Sequence, residues 1–380
     1  MSSSSSKPEK EEEEEREAPS PCMNGDAASE GDKGGVGGEE GREGGGEEEG
    51  EREFAAVMAQ LAPEGVQALH ARVEAEWGPV LQSACQTAAA RALWARAVRD
   101  PAAAVLAGER YLRGLHEKMR RDERAGAREV HGVMIAVRTL WFDARIEAAV
   151  DELGGDPQVV ILGAGMDARA YRLNCLKECM VFELDFPELL EMKSDLLHEA
   201  MSSANYQKLT LMAKSLNRVP ANIQDGDWVT KLQSCGYVPE RNTIWVLEGI
   251  IYYLHHADAM QVLETIAASR SSACTVLLAD FMNKNATSLS PTIYHFYHDS
   301  PDLLLPSIGF SKVTLSQIGD PQAHFGLLSH PENLFDKLRR LPRSMEKNPE
   351  DGTPCCRLYF VEASASPDDQ IMCPLDHYLD

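Results

Sequence analysis

Apolar side chains follow two different spacings along this chain, and the change between them falls near residue 150. Over residues 54–150 they recur every three to four positions, most clearly in the stretches 84–98 and 130–150, with interruptions at Pro79 and Pro101. This spacing places apolar side chains on one face of a helix. We therefore predict that residues 54–150 form a helical region.

After residue 150, short β-branched apolar runs alternate with helical patterns. The predicted strands are 159–162, 180–184, 208–213, 243–247, 274–279, 311–315 and 357–362. The predicted helices between them are 187–203, 225–235, 257–270 and 331–341. Strands that alternate with helices predict a parallel α/β sheet covered on both faces, whose ligands bind at the carboxyl ends of the strands.

The first 53 residues have a different composition. They hold eighteen acidic and six basic side chains, a net charge of −12 out of −23 for the whole chain, and almost no large apolar residues. Such a segment cannot bury enough surface to offset its ordering entropy. We predict a disordered acidic tail over 1–53, without the features of a transit or secretory peptide, and no apolar run in the chain is long enough to span a bilayer.

The remaining residues carry the other −11 charges, which disfavours nucleic acid and anionic membranes as partners. A basic cluster over 118–128 is interrupted by acids and is typical of a solvated helix face. The nine cysteines show neither paired Cys-x-x-Cys spacing nor a histidine pattern for zinc. Their odd number predicts reduced thiols in the cytosol or nucleus.

The candidate chemistry begins where the run 159–162 ends in the turn Gly163-Ala164-Gly165. Glycines let a backbone turn closely around a nucleotide-like ligand, and Asp185, at the end of the next strand, has the chemistry to accept two ribose hydroxyls. An ordinary tight turn is the alternative interpretation. The third glycine of a dinucleotide motif is replaced by Ala168, and bulky Arg169 follows, so a smaller ligand such as S-adenosylmethionine is favoured.

Four segments in this order resemble the leucine carboxyl methyltransferase family of S-adenosylmethionine-dependent enzymes. They are 137–143, 162–173, 182–187 with Lys193 downstream, and 245–254. The resemblance covers residues 127–280. It implies a seven-stranded, Rossmann-like class I methyltransferase sheet over 151–380 with a partly antiparallel last hairpin, and an N-terminal helical cap, residues 54–150, near the cofactor.

The resemblance also implies a set of cofactor-binding residues. Arg138 would hold the cofactor's carboxylate, unless it forms a surface ion pair with Asp143 or Glu147. Asp185 would hold the ribose, and a helix N-cap before Pro187 is its alternative role. Glu248, which ends an apolar strand, would pair with the cofactor's ammonium. Tyr252 and Tyr253 would line the acceptor side, and ordinary packing is their alternative role.

One position departs from the family pattern. After the third strand the family usually has Asp-Leu for the adenine amino group, whereas we place Ser215 and Leu216 there. Serine also accepts a hydrogen bond, but with less charge and a shorter reach. The sequence therefore predicts an adenine site that is weaker or built differently.

No catalytic triad is recognisable, and methyl transfer to a carboxylate requires no general base. His131, His255 and His256 are candidate bases for a less acidic acceptor, although each is also typical of an ordinary helix or loop position. The motif Asp/Asn-Pro-Pro-Tyr of amino-methylating enzymes is absent, and the segment 248–251 stands in its place. We predict a cytosolic O-methyltransferase that acts on a carboxylate of a protein terminus or small molecule. The alternatives are a cofactor-binding protein without turnover and a nicotinamide oxidoreductase.

Overall fold

The computed structural model describes residues 43–203, 209–269, 273–328, 330 and 332–367, with side chains from Glu49 onward. Residues 1–42 of the predicted tail lie outside the described residues. The rest of that segment, from Glu43, belongs to the first helix. No helix in the described part of the chain has the length and apolar character needed to cross a membrane.

Helices make up the region before the sheet, in agreement with the apolar spacing there. They are α1 (Glu43–Ala59), α2 (Glu64–Glu76), α3 (Pro79–Leu93), α4 (Ala103–Ala107), α5 (Glu109–Ala125) and α6 (Val133–Leu153). Pro79 starts α3 instead of breaking it, because a proline at the first helical position loses no hydrogen bond. Gly126 ends α5 in the left-handed conformation and donates to the carbonyls of Asp122 and Glu123.

The described strands form one seven-stranded sheet in the order β3-β2-β1-β4-β5-β7-β6. They are β1 (Gln158–Leu162), β2 (Met180–Asp185), β3 (Ser215–Pro220), β4 (Thr243–Leu247), β5 (Thr275–Met282), β6 (Lys312–Gln317) and β7 (Leu358–Ala365). The pairs among β1 to β5 are parallel, and β7 is antiparallel to both β5 and β6. The α/β class and the antiparallel last hairpin are therefore confirmed.

The later helices cover the sheet. They are α7 (Pro187–Ser202), α8 (Trp228–Ser234), α9 (His256–Ala268), α10 (Lys284–Thr287), α11 (Pro301–Ser307) and α12 (Leu334–Arg340). The predicted ends Arg270 and Pro331 lie outside the described residues. Every residue of β1, β4 and β5 is buried, as expected for parallel strands with both faces covered. A second apolar cluster joins α2 to α5 with α7 and with Met166 and Ala168 after β1, so the helical region packs beside the carboxyl end of β1.

The third strand is not where the sequence predicted it. Of the predicted run 208–213, Lys208 lies outside the described residues, and Met212 and Ala213 instead donate backbone hydrogen bonds to the Ala170 carbonyl. The strand is the more polar segment Ser215–Pro220. It lies at the edge of the sheet, where one side has no neighbouring strand and polar side chains and a proline are tolerated.

Candidate functional site

The turn after β1 is shaped by two glycines. Gly163 and Gly165 have φ angles of +63° and +47°, a conformation that favours glycine. A Cβ on Gly163 would lie 2.6 Å from the Ile250 side chain, and one on Gly165 would lie 3.3 Å from the Cβ of Ala84 in α3. The turn therefore lies in contact with the segment after β4 and with the helical region.

Asp185 ties this turn to the end of β2. The N–H of Gly165 donates to its Oδ2 at 2.7 Å, and the N–H of Phe186 donates to its Oδ1 at 2.7 Å. Burial raises the pKa of Asp185, while these two backbone hydrogen bonds favour its charged form. The N-cap of α7 is Phe186 and has no side-chain cap, so the alternative role of Asp185 as that cap is not seen. Its remaining lone pairs can accept hydrogen bonds from hydroxyl groups.

No α-helix begins in the segment that follows the turn. The described elements there are two short 3-10 helices, Arg169–Tyr171 and Asn174–Glu178. A pyrophosphate normally sits at the N-terminus of a helix that starts directly after the glycine turn. The side chain of Arg169 is buried and pairs with Asp143, Asp167 and Glu248. This geometry disfavours a dinucleotide, as the sequence predicted.

Arg138 and Glu248 meet at the carboxyl end of β4. Arg138 Nε donates to Glu248 Oε1 at 3.1 Å, and their side chains are only 5% and 12% exposed. Arg138 Nη1 also donates to the Tyr252 hydroxyl at 3.0 Å. The surface pair with Asp143 does not form, because Asp143 binds Arg169 and Arg172 instead. The two residues predicted to hold the ends of one amino-acid moiety are thus neighbours.

Asp280 belongs to the same cluster and was not predicted. It lies in β5, is fully buried, accepts from the Gly249 N–H at 2.7 Å, and has Oδ2 3.5 Å from Arg138 Nη1. Burial raises the pKa of Asp280 to about 6, against the opposing effect of Arg138. The available signal in the sequence was an acid inside the apolar run that forms β5, since a buried acid needs a partner.

These ion pairs join into one continuous network that runs from α3 to β5. Its members, among the described residues, are Arg91, Asp100, Arg172, Asp143, Arg169, Asp167, Glu248, Arg138 and Asp280. Four arginines face five acids, which leaves one negative charge in excess when all are ionised. Burial alone would raise the pKa of Asp167, but Arg169 and the other nearby cations lower it to about 2. Buried charges are retained only when they are paired in this way.

Two adjoining cavities lie at the carboxyl ends of the parallel strands. The charged cavity contains Arg138, Arg169, Glu248 and the turn after β1, with α3 as its wall. The neutral cavity is lined by apolar and amide side chains, mainly Phe186, Ile223, Leu254, Ile293, Asn222 and Gln224. Both are lined by Val80, Gly163, Asp185, Phe186, Ile250 and Tyr253. Asp185 therefore lies at the border between them, beside the middle of any ligand that spans both cavities.

Ser215 and Leu216 do not follow the third strand, so that prediction is wrong. They begin β3 and pair with Met180 and Val181 at the start of β2. This is the amino end of the parallel strands, whereas the glycine turn lies at the carboxyl end of β1. The residues that follow β3 are Ala221, Asn222 and Ile223, all of which line the neutral cavity. An amide followed by an aliphatic side chain thus stands where Asp-Leu was expected.

The three candidate histidines lie outside both cavities. His131 pairs with Asp122, His255 stacks on His295 with ring centroids 4.3 Å apart, and His256 packs near Phe296. Among the described residues that line the two cavities there is one histidine, His295, and it lies in the neutral cavity. Tyr252 and Tyr253 line the charged cavity, and burial raises the pKa of both, so they are neutral near pH 7.

Known proteins are similar to the part of the chain that contains this site. A profile of the leucine carboxyl methyltransferase family matches residues 84–267, which include the glycine turn, Asp185 and Glu248. A protein from Mycolicibacterium vanbaalenii that carries the name of an S-adenosyl-L-methionine-dependent methyltransferase is 37% identical over 216 residues, or 53% of this chain and 70% of that protein. A protein of the same name from Frankia alni is 35% identical over 136 residues, 36% of this chain and 44% of its own length.

Solved structures are more distant. A protein of the DUF574 family from Streptomyces avermitilis is 13% identical, with a TM-score of 0.41, and the match covers 67% of this chain and 90% of that chain.

Proposed function

Because this chain belongs to the leucine carboxyl methyltransferase family, we propose that it transfers the methyl group of S-adenosylmethionine to a carboxylate oxygen. The predicted family, the class of S-adenosylmethionine-dependent methyltransferases and the cofactor are thereby confirmed. The carboxylate acceptor, on a protein C-terminus or a small molecule, is the proposal. The roles of individual residues, and action in the cytosol or nucleus, are also proposals.

The observation that carries the proposal is the lack of a free base in the described lining of the charged cavity. Asp167 and Glu248 are held by arginines, Asp185 is held by two N–H groups, and no histidine is present. The tyrosines there are protonated near pH 7. An acceptor that is already an anion needs no base, and a carboxylate meets that condition.

The charged cavity fits the amino-acid end of the cofactor. The guanidinium of Arg138 would bind the carboxylate, and Glu248 would bind the ammonium. The network's single excess negative charge complements a cofactor whose ammonium, sulfonium and carboxylate sum to +1. Asp185 would accept the ribose hydroxyls at the border, which directs the adenine into the neutral cavity toward Asn222.

The chemistry then requires position more than proton transfer. The acceptor oxygen attacks the methyl carbon in line with the carbon–sulfur bond, whose electrons return to sulfur, giving a methyl ester and S-adenosylhomocysteine. The protein holds the two reactants in line and excludes water. Val80, Ala84 and Thr87 of α3 line the charged cavity and would help to exclude water from it.

A methyl-transfer assay with labelled cofactor tests the acceptor class. We expect label in peptides or metabolites with a free carboxylate, released by mild alkali as expected for an ester. Peptides of the same sequence with an amidated C-terminus and no acidic side chain are the matched control and should remain unlabelled. Alkali-stable label, or equal labelling of the amidated peptides, would rule out the carboxylate proposal while leaving the methyltransferase class intact.

Ligand preference is tested separately by calorimetry. We expect S-adenosylmethionine and S-adenosylhomocysteine to bind and nicotinamide dinucleotides not to, because no helix N-terminus receives a pyrophosphate after Gly165. A protein that binds cofactor but labels none of the tested acceptors would favour the alternative of a binding protein without turnover.

A further inference from the structure

Asp280 lies within the sheet and contacts both Arg138 and the backbone next to Glu248. Its Oδ1 accepts the N–H of Gly249, the residue directly after Glu248, at 2.7 Å. Its Oδ2 lies 3.5 Å from Arg138 Nη1. A carboxylate buried in an apolar strand is costly without such partners. Asp280 thus binds one proposed ligand of the cofactor's amino-acid moiety, Arg138, and the backbone beside the other, Glu248, although it does not line either cavity.

Gly249 makes this connection close. Its φ is +71°, and a Cβ there would lie 3.0 Å from both Nη atoms of Arg138. The guanidinium therefore packs directly on the Gly249 backbone. A carboxylate that fixes both the Gly249 N–H and the guanidinium sets the angle at which Arg138 reaches the charged cavity.

We propose that Asp280 is a positioning residue that keeps Arg138 in place when Glu248 turns to the cofactor's ammonium. This inference rests on the proposed roles of Arg138 and Glu248. In the structure Glu248 divides its two oxygens between Arg138 and Arg169. Once an ammonium competes for Glu248, Asp280 is the carboxylate that still faces Arg138 from the sheet side. Without Asp280, the neutral Tyr252 hydroxyl is the partner that remains for Arg138 Nη1, so the guanidinium is held less firmly, and bidentate recognition of a carboxylate depends on its orientation.

A pH dependence follows from the surroundings of Asp280. The groups that face it are Arg138 from α6, and Glu248, Tyr252 and Tyr253 from β4 and the segment after it, while β7 brings the apolar Phe360 alongside. Burial raises the pKa of Asp280 to about 6. The protonated side chain carries no charge for Arg138 and behaves like an asparagine. We therefore expect cofactor affinity to fall as the pH falls through about 6.

The test is a calorimetric titration of the full chain with S-adenosylhomocysteine between pH 5 and pH 8, for the parent and Asp280→Asn. Asparagine keeps an oxygen for the Gly249 N–H but presents no charge to the guanidinium. We expect Asp280→Asn to bind about tenfold more weakly at pH 7.5, with little dependence on pH. The parent should weaken toward the affinity of the variant near pH 5, a convergence that a purely structural role would not produce.

Three further variants separate the possible failures. Asp280→Glu keeps the charge and should retain the pH dependence, which gives a second arm if Asp280→Asn does not fold. Glu264→Gln, an exposed acid on α9, should bind like the parent. Equal affinity of Asp280→Asn and the parent at pH 7.5, or an unchanged pH profile in Asp280→Asn, would overturn the inference. If Arg138→Ala binds like the parent, the proposed roles of Arg138 and Glu248 are wrong instead.

Discussion

The charged cavity and the neutral cavity share one wall but are built from different forces. In the charged cavity, buried arginines and acids hold one another in fixed positions, and each would be costly to bury alone. In the neutral cavity, aliphatic and aromatic side chains offer area, and two amides offer hydrogen bonds. The first arrangement fixes orientation and charge, and the second is the one that we propose contacts the flat, uncharged adenine ring. Substitutions should therefore have large effects in the charged cavity and small ones in the neutral cavity.

The largest effect is expected for Arg138→Ala. It leaves Glu248 with one arginine and Asp280 with none, and breaking a buried pair costs roughly 3–5 kcal/mol of folding stability. Loss of a desolvated charged partner should also cost roughly 2–5 kcal/mol in binding S-adenosylhomocysteine. Chemical denaturation and calorimetry measure the two losses.

Arg138→Lys is the matched variant, because it keeps the charge and loses the planar fork. It should recover most of the stability but only part of the affinity. Parent-like stability of Arg138→Ala would contradict the account of a paired, buried network.

A second effect concerns stability and pH. The pKa of Asp280 is about 6 in the folded protein against an ordinary 3.8. A raised pKa means that its contribution is fully present below pH 3.8 and is lost as the pH rises through about 6. Relative to Asp280→Asn, the parent should therefore lose about 2–3 kcal/mol of unfolding free energy between pH 4 and pH 7. Denaturant unfolding of both proteins across this range measures the difference, and parallel pH curves would contradict it.

Asp185→Asn probes the border between the cavities. The amide retains one oxygen for the Gly165 N–H but loses the acceptor for the Phe186 N–H and the charge that would strengthen the proposed hydrogen bonds to ribose hydroxyls, so binding should weaken by roughly 1–2 kcal/mol. Asp195→Asn, an exposed acid on α7, is the control and should be silent. Calorimetry with S-adenosylhomocysteine is sufficient. An equal loss in both variants would point to a general charge effect instead of a ribose contact.

The smallest effect is expected in the neutral cavity. Asn222→Ala removes the neutral hydrogen bond that we propose for the adenine and should cost roughly 0.5–1.5 kcal/mol. The parent should also bind an inosine analogue of S-adenosylhomocysteine, which lacks the amino group, more weakly than the adenosine form, and Asn222→Ala should lose that preference. Ser215→Ala, at the amino end of β3 and away from both cavities, should change neither affinity. A larger effect from Ser215 than from Asn222 would contradict the observed register of β3.

The difference between the cavities also separates what the sequence could predict from what it could not. Gly163, Gly165, Asp185 and Glu248 were predictable because each lies at or just after the end of a mainly apolar strand that is clear in the sequence. β3 was misplaced because an edge strand is half polar, while the apolar run before it resembles a strand more closely. That error placed the predicted adenine contact at Ser215 instead of among the residues that follow β3, where Asn222 lies.

Asp280 was missed for a different reason. Its partners lie 31 and 142 residues away along the chain, at Gly249 and Arg138, and no local spacing relates them. Likewise, the Arg138–Glu248 pair spans 110 residues and depends on the packing of α6 against β4 and β5. Motifs predicted the individual ligands, but only the packing shows that they form one network.

The central claim is that Glu248 receives the cofactor's ammonium, and one measurement tests it most directly. Glu248→Ala and Glu264→Ala should be titrated with S-adenosylhomocysteine beside the parent, with folding checked by circular dichroism. We predict that Glu248→Ala binds more than tenfold more weakly, in keeping with roughly 2–5 kcal/mol for a desolvated charged partner, and that the exposed Glu264→Ala binds like the parent. A folded Glu248→Ala protein with parent-like affinity would contradict the claim and move the site away from the end of β4.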